Sequence, residues 1–271
     1  MFNIGIFPNT TRDINLEYTR NLISWLIINK CNIYVTECNQ DLENVVFTTI
    51  DIICKKCDFV IFLGGDGTIL QKAPICAKFN IPLIGINLGS VGYLTDVDKE
   101  DGTLAIGKVL QKNYRIEKRM LIETKVKGET KTALNDICIT KKDQTKLITL
   151  TIKVNGEYID TYRGDGIIVS TPTGSTAYNL AAGGPIVKPD ICAIIVTPIC
   201  PYKIYSRPLV LSGDDIVTIS SNDYFCTSVS VDGYMDNLTE EITIKKSINK
   251  ASIIRTHKQN FYDVLRKKFF I

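Results

Sequence analysis

The chain has 271 residues, 45% of them apolar and 23% charged, with a formal net charge of +3, an ordinary globular composition with a sizeable core and room for two domains. Its lysines and arginines are scattered, without a cluster or an aromatic-interleaved basic stripe, which argues against a nucleic-acid surface and suits a small anionic ligand. No basic leader opens it, and nowhere do about eighteen apolar residues follow one another, so the expectation is a soluble, cytoplasmic protein with no membrane partner.

Residues 3–7 form a short apolar run ending at Pro8 and Asn9, and residues 16–28 carry Leu22, Ile23, Leu26 and Ile27 at helical spacing, so a strand and then a helix are expected. A second strand follows over 32–36, and a weaker amphipathic helix over 42–54. At its end stands Cys54-Lys-Lys-Cys57, the one cysteine pair with metal-like spacing. A structural zinc needs four ligands; with no second such pair and with the single histidine, His257, far away, two thiols on a helix face are the better reading. The single histidine also leaves a Ser-His-Asp hydrolase nothing else to rest on and excludes a His-rich metal centre. The nine cysteines, an odd number, suit reduced, buried thiols.

Residues 59–63, FVIFL, show no polar alternation and read as a strand buried on both faces. It runs into Gly64-Gly65-Asp66-Gly67-Thr68. Three glycines strip side chains from a tight turn before a helix expected over 68–79, so backbone N–H groups can approach a ligand, and Gly64, Gly65, Gly67 and Thr68 are candidate phosphate-binding residues. The turn has neither the Lys-Ser/Thr pair of a Walker A loop nor GxGxxG spacing. Asp66 is out of place in an anion cradle, because its carboxylate repels phosphate. It would orient an attacking hydroxyl or meet the phosphate through a metal ion; the plainer alternative is an Asp-Gly turn in which Asp66 caps the helix. With a further strand over 81–87, the β-α alternation predicts a doubly wound α/β domain over residues 1–98, its ligand sites at the carboxyl ends of the strands.

After one more helix near 103–111, short alternating runs at 121–126, 136–140, 147–154, 216–219, 228–231 and 242–244 predict an antiparallel, sandwich-like β-rich domain over 99–255. Residues 256–271 end in a basic amphipathic helix whose Phe261, Val264, Leu265 and Phe269 could cover a sheet face. Within the β-rich part, 163–189 (RGDGIIVSTPTGSTAYNLAAGGPIVKP) is dense in small and hydroxyl residues. It reads as a turn at Asp165-Gly166, a brief strand over 167–169, a hydroxyl-lined loop and a short helix over 176–182. A nucleotide's ribose and phosphate oxygens could satisfy those hydroxyls, and so could the loop itself. Ser175 is not in a nucleophile elbow and has no base assigned to it.

GGDGT resembles the motif of kinases that phosphorylate hydroxyls, among them NAD kinases, diacylglycerol and sphingosine kinases and, more loosely, the phosphofructokinases. Together with residues 81–96 (IPLIGINLGSVGYLTD), 133–139 (ALNDICI), the whole of 163–189 and 197–211 (TPICPYKIYSRPLVL), the resemblance narrows to the NAD kinase family. It implies an N-terminal α/β domain, a β-rich C-terminal domain and a last helix returning to the first. It also implies phosphorylation of the adenosine 2′-hydroxyl of NAD by ATP or another phosphoryl donor, with Asp66 as catalytic aspartate and Gly67 beside it at the dinucleotide. Asn135 and Asp136 fall on the pair that grips the adenine end. Lys146, Arg163, Asp165 and the segment Thr176, Ala177, Tyr178, Asn179, Leu180 and Ala181 fall on further NAD-binding positions. Chemistry agrees, since Asn offers donor and acceptor together to adenine, a carboxylate accepts from an amine or hydroxyl, and Tyr178 can stack. The implied cofactor is a divalent cation, Mg²⁺, carried with the nucleotide rather than by a protein metal site, and the implied assembly is a homodimer or homotetramer. Departures from the family pattern are Asp136 in place of Glu, Lys188 and Tyr202 where His is common, and Ser90 where Arg or Lys is frequent. The rivals are a lipid or sugar kinase sharing GGDGT, for which residues 163–189 have no use, and a non-catalytic NAD(P)-binding sensor.

Overall fold

The computed structural model describes residues 1–36, 42–89, 92–95, 97–143, 145–203, 205–257 and 261–269; Ser90 lies outside them. The chain divides into one unit of Met1–Lys118 with Ala251–Ile271 and another of Arg119–Lys250. The first unit contains β1 (Asn3–Phe7), α1 (Glu17–Ile28), β2 (Asn32–Val35), β3 (Val46–Phe47), α2 (Ile50–Lys56), β4 (Phe59–Gly64), α3 (Asp66–Lys78), β5 (Leu83–Asn87), β6 (Val97–Asp98) and α4 (Gly102–Leu110). Its strands pair in parallel in the order β3-β2-β1-β4-β5. All six residues of β4 are buried, as a central parallel strand covered on both faces requires. Ile4, Ile6, Ile61 and Leu63 pack with Leu22 and Leu26 of α1 and with Ile106 and Val109 of α4. Chain order runs outward in opposite directions from the neighbours β1 and β4, so the turns that follow them diverge at the carboxyl edge and leave a crevice there.

Two expectations change in this unit. The helix expected over 42–54 forms only from Ile50, because Val46-Phe47 pairs with β2 instead; β-branched and aromatic residues in succession favour the extended chain. The helix after the glycine turn begins at Asp66, two residues earlier than expected, with Gly65 as its N-cap.

The second unit contains β8 (Glu129–Ala133), β9 (Asp136–Lys141), β10 (Ile148–Val154), β11 (Glu157–Gly164), β12 (Gly166–Ser170), α5 (Tyr178–Ala181), β13 (Ala193–Ile199), β14 (Leu209–Ser212), β15 (Val217–Ser221), β16 (Thr227–Val231) and β17 (Tyr234–Asn237), with most of β7 (Arg115–Val126) and β18 (Ile242–Arg255). One antiparallel sheet has the order β14-β13-β12-β9-β16-β17. In the other layer β10 pairs with β11 and β15, and β15 with the start of β18. Alternate residues of β10 are buried. Ile137, Ile139, Ile167 and Val169 of the first layer share a core with Ile148, Leu150, Val217 and Ile219 of the other, a sandwich.

The expected divisions after residues 98 and 255 fall instead after 118 and 250. Helix α4 buries Ala105, Ile106 and Val109 in the first unit's core, and residues 251–255 of β18 belong there too, with Ile253 paired in parallel to Leu83. The final helix α6 (Phe261–Phe269) buries only Val264; Phe269 is 45% exposed and Phe261 rests 6.0 Å from the Tyr93 ring. No helix among the described residues is long and apolar enough to cross a membrane.

Candidate active site

The apolar run of β4 delivers the chain to the carboxyl edge of the parallel sheet, where a side chain at position 64 cannot be accommodated. Gly64 has φ +143°, and a Cβ there would stand 2.5 Å from Thr68 Oγ1 and 2.7 Å from Asn9 Nδ2. Its carbonyl accepts from Leu88 N–H at 3.1 Å, and Asn87 closes an Asx turn onto Gly89, which ties the two strand-end turns together. No side chain caps α3 at Gly65, so the positive end of this helix is offered to a ligand. Around Gly67 nothing lies within 4 Å of where a Cβ would be. Arg12, in the loop after β1, brings its guanidinium to 2.9 Å from the missing Cβ of Gly65 and 2.7 Å from that of Gly89, room that only glycines leave. A cavity of about 420 Å³ opens beside the turn, lined among others by Asn9, Arg12, Gly65, Thr68, Gln71 and Lys72. Two cations, neutral hydroxyls and amides, and an uncapped helix start form an anion pocket. Arg12 and Lys72 are absent from the sequence-level site; position after a parallel strand was the available signal for Arg12.

Asp66 does not cap its helix. Its Oδ2 accepts from Tyr93 N–H at 2.7 Å, and its Oδ1 from Leu94 N–H and Thr95 N–H at 3.0 Å each and from Thr95 Oγ1 at 3.1 Å. The capping alternative is thereby overturned: the carboxylate gathers the loop after β5 into a ring of charge-assisted hydrogen bonds. Gly92 is required for that approach, since a Cβ there would lie 1.9 Å from Asp66 Oδ1. Lys268 of α6 places Nζ 4.0 Å from Asp66 Oδ2 and 4.4 Å from the Tyr93 ring centroid. The Asp66 side chain keeps 31% of its surface exposed, enough to meet a ligand.

Cys54, of the cysteine pair on α2, turns its thiol to that of Cys76 on α3. These are packing neighbours. Among the described residues no group of three or more His, Cys, Asp or Glu side chains is arranged to hold a metal ion.

In the second unit, Asn135 and Asp136 open β9, while Arg163 and Asp165 stand at the junction of β11 and β12. Strand pairing sets Asp136 opposite Ser170 and Thr140 opposite Gly166, so the two groups occupy opposite ends of the β9-β12 pair, roughly 13 Å apart at strand rise. Tyr178 is 47% exposed. Its hydroxyl pKa is raised, first by burial and then by thiols and carboxylates that include both Asp165 and Asp136, so it lies within electrostatic reach of both groups. Asp165 is ion-paired to Lys141 at 2.7 Å, and Arg163 stands 5.9 Å over the ring of Tyr202. Asp136 is only 7% exposed; burial pushes its carboxyl up, and Oδ1 accepts from the Cys138 thiol at 3.2 Å. The amide of Asn135 takes no hydrogen bond among the described residues, although its carbonyl accepts from Thr171 N–H at 2.8 Å.

The structure decides between the two readings of the hydroxyl-lined loop and places two of the residues to which the resemblance pointed. The hydroxyl-lined loop satisfies itself: Ser170 bonds Asn135 O, Thr171 bonds Leu134 O at 2.6 Å, and Ser175 bonds Pro172 O at 2.7 Å. Asn179 is wholly buried, its amide donating to Ser175 O and Pro185 O and accepting from Thr197 Oγ1 at 2.6 Å, so it braces the turn. Lys146 is exposed, and its charge bears on Asp143 and Asp223. Thr176, Ala177, Leu180 and Ala181 keep some surface around Tyr178. Lys188 pairs with Asp190.

Residues 4–114 match the family model described as the ATP-NAD kinase N-terminal domain, and residues 134–256 the ATP-NAD kinase C-terminal domain. The chain is 39% identical over 280 residues to the NAD kinase of Thermoanaerobacter sp. (strain X514), covering 99% of each, and 38% identical over 279 residues to that of Lachnoclostridium phytofermentans, covering 97% of each. Among solved structures, yeast NADH kinase complexed with NADH superimposes with a TM-score of 0.84 at 26% identity, over 99% of this chain and 87% of that one. An NAD kinase from Archaeoglobus fulgidus in complex with ATP gives 0.80 at 26% identity, over 98% and 99%.

Proposed function

The chain belongs to the NAD kinase family, and from that premise we propose which of its residues carry the reaction. The activity is phosphorylation of NAD to NADP. Transfer of a phosphoryl group asks mainly for positioning and for stabilisation of charge on the transferred oxygens. The phosphates of the donor, which we take to be ATP, would lie at the uncapped start of α3, against Gly65, Gly67 and Thr68, with Arg12 and Lys72 neutralising charge. Asp66 would hold the adenosine 2′-hydroxyl in line and take its proton late, for a carboxylate is too weak a base to form the alkoxide outright. Asn135 and Asp136 would meet the adenine end, Tyr178 would stack, and Arg163 and Asp165 would bind the far part of the dinucleotide.

Among the described residues the cavity's side chains offer neutral oxygens, from Asn9, Thr10, Thr36, Thr68 and Gln71, beside its two cations, a set suited to a cation whose ligands are mostly phosphate oxygens and water. Mg²⁺ bound with the triphosphate would draw charge from its oxygens. We place the enzyme in the cytoplasm as a homodimer or homotetramer, which light scattering of the pure protein would check.

The observation that carries the assignment of roles is the pairing, in one unit, of a cation-lined cavity at an uncapped helix start with a carboxylate fixed by four hydrogen-bond donors. Incubation with NAD, ATP and Mg²⁺, read with an NADP-specific dehydrogenase, should yield NADP. Arg12→Ala and Lys72→Ala should each raise the KM for ATP and leave that for NAD near wild type; the reverse pattern would remove the cavity from the phosphoryl-donor site.

A further inference from the structure

We infer that Asp232, at the tip of the β16-β17 hairpin, is a positioning residue for the acceptor, holding the Asn135-Asp136 segment in the shape that presents Asn135 to the dinucleotide. The inference rests on the reading that Asn135 and Asp136 contact NAD. The carboxylate of Asp232 accepts from three consecutive backbone N–H groups: Leu134 at 2.6 Å, Asn135 at 2.9 Å and Asp136 at 3.1 Å. In a strand successive N–H groups point to opposite sides; three converging on one anion mean that the chain is bent into a nest. Asp232 also donates its own N–H to Asp136 O at 3.0 Å. On the other side Thr171 N–H and Ser170 Oγ hold Asn135 O, and Thr171 Oγ1 holds Leu134 O. Gly174 passes so close that a Cβ on it would stand 2.2 Å from Asn135 O. Every backbone N–H and C=O of residues 134–136 is therefore engaged within the protein, while the side-chain amide of Asn135 is left unspent.

The hairpin does not need an acid for its own sake. Asp232 has φ +47° and Gly233 φ +87°, the left-handed pair of a tight two-residue turn in which Asn serves as well. An acid here is held at a cost, because burial, and then Asp136 nearby, push its carboxyl up to about 7. A buried acid kept where the turn does not ask for it, and spent on the three N–H groups that shape residues 134–136, marks a part beyond the turn.

The test compares wild type with Asp232→Asn and Asp232→Gly, both compatible with the left-handed backbone, in steady-state kinetics for each substrate and in direct NAD titration. The expected result is a KM and Kd for NAD raised about tenfold or more, the scale of leaving buried N–H groups poorly paired, with kcat and the KM for ATP within about twofold of wild type. Asn135→Ala should raise the KM for NAD on its own, and Asp232→Asn added to it should raise it little further, as for residues that act through one another. An unchanged KM for NAD in folded Asp232 variants, strict additivity with Asn135→Ala, or a loss confined to kcat would overturn the inference. So would collapse of both variants in circular dichroism, which would make Asp232 a residue of the fold alone. If wild type itself makes no NADP, the functional reading falls; if wild type turns over and the variants match it, only the role of Asp232 falls.

Discussion

Asp66 is held by more hydrogen bonds than a free base would accept, and this shapes what its substitution should do. Asp66→Asn keeps size but turns an amide NH₂ toward one of the groups now donating to it, Tyr93 N–H or the Leu94 and Thr95 donors. Turnover is expected to fall about 10² to 10⁴ fold, the range of general base catalysis, and stability by about 1 to 3 kcal/mol, the cost of a mismatched buried donor. The KM for NAD should change little. Activity within a few fold of wild type would leave Asp66 only its role in the loop. Asp232 makes a prediction in pH. Its folded-state pKa, raised to about 7 by burial and then by Asp136, lies above that of an unfolded aspartate. The folded protein therefore binds this proton more tightly, and the associated stability is full below about pH 4, the usual carboxyl range, and lost as pH rises through 7. Its ionisable neighbours among the described residues are the Asp136 carboxyl and the Cys138 thiol, which burial pushes up so that it stays protonated over this range. Denaturant melts at intervals from pH 5 to 8 should show wild type losing stability relative to Asp232→Asn as pH rises; parallel profiles would contradict the raised pKa.

The unit of β4, its glycine turn and α3 places its glycines for different reasons. At Gly67 the space for a Cβ is open, and alanine suits a helix better than glycine, so Gly67→Ala should leave the fold as stable or stabilise it by about 0.5 to 1 kcal/mol. The new methyl would stand where phosphate has to approach, and substrate KM should rise. Gly92→Ala is the opposite case, because its Cβ would fall 1.9 Å from Asp66 Oδ1. The loop over 92–95 would have to leave the carboxylate, and both melting temperature and turnover should drop. Thermal melts with steady-state kinetics on the two variants separate the roles; a destabilised Gly67→Ala would mean that the helix start is more crowded than its open surroundings indicate.

For the molecule as a whole, the metal is expected to belong to the reaction and not to the fold. EDTA should abolish NADP formation, Mg²⁺ should restore it, and the melting temperature should stay the same within a degree or two. A large fall in melting temperature on chelation would point to a metal held by the protein itself.

Reading residues in order was enough for those features that are local. An uninterrupted run of aromatic and β-branched residues such as 59–63, stopped by glycines, reads as a strand covered on both faces, the glycines at 64 and 65 empty the turn after it, and the alternating β10 run shows its two faces directly. The order of such runs determined the α/β unit and the β-rich unit, and the motifs placed Asp66, Asn135 and Tyr178 at strand ends and turns. Tertiary structure decided what depends on partners distant along the chain. The family likeness gave Asn179 and Asn135 equal standing, yet one amide is consumed by Ser175, Pro185 and Thr197 and the other is free of them. In sequence Asp66 could cap a helix or serve a substrate, and capping was set aside only when the N–H groups of 93–95 came to it, while nothing in local spacing ties Asp232 to residues 134–136. The unit boundary moved for the same reason. Whether α4 and residues 251–255 belong to the first core depends on which apolar surface they bury, and burial is a property of the packed chain, with no counterpart in local spacing.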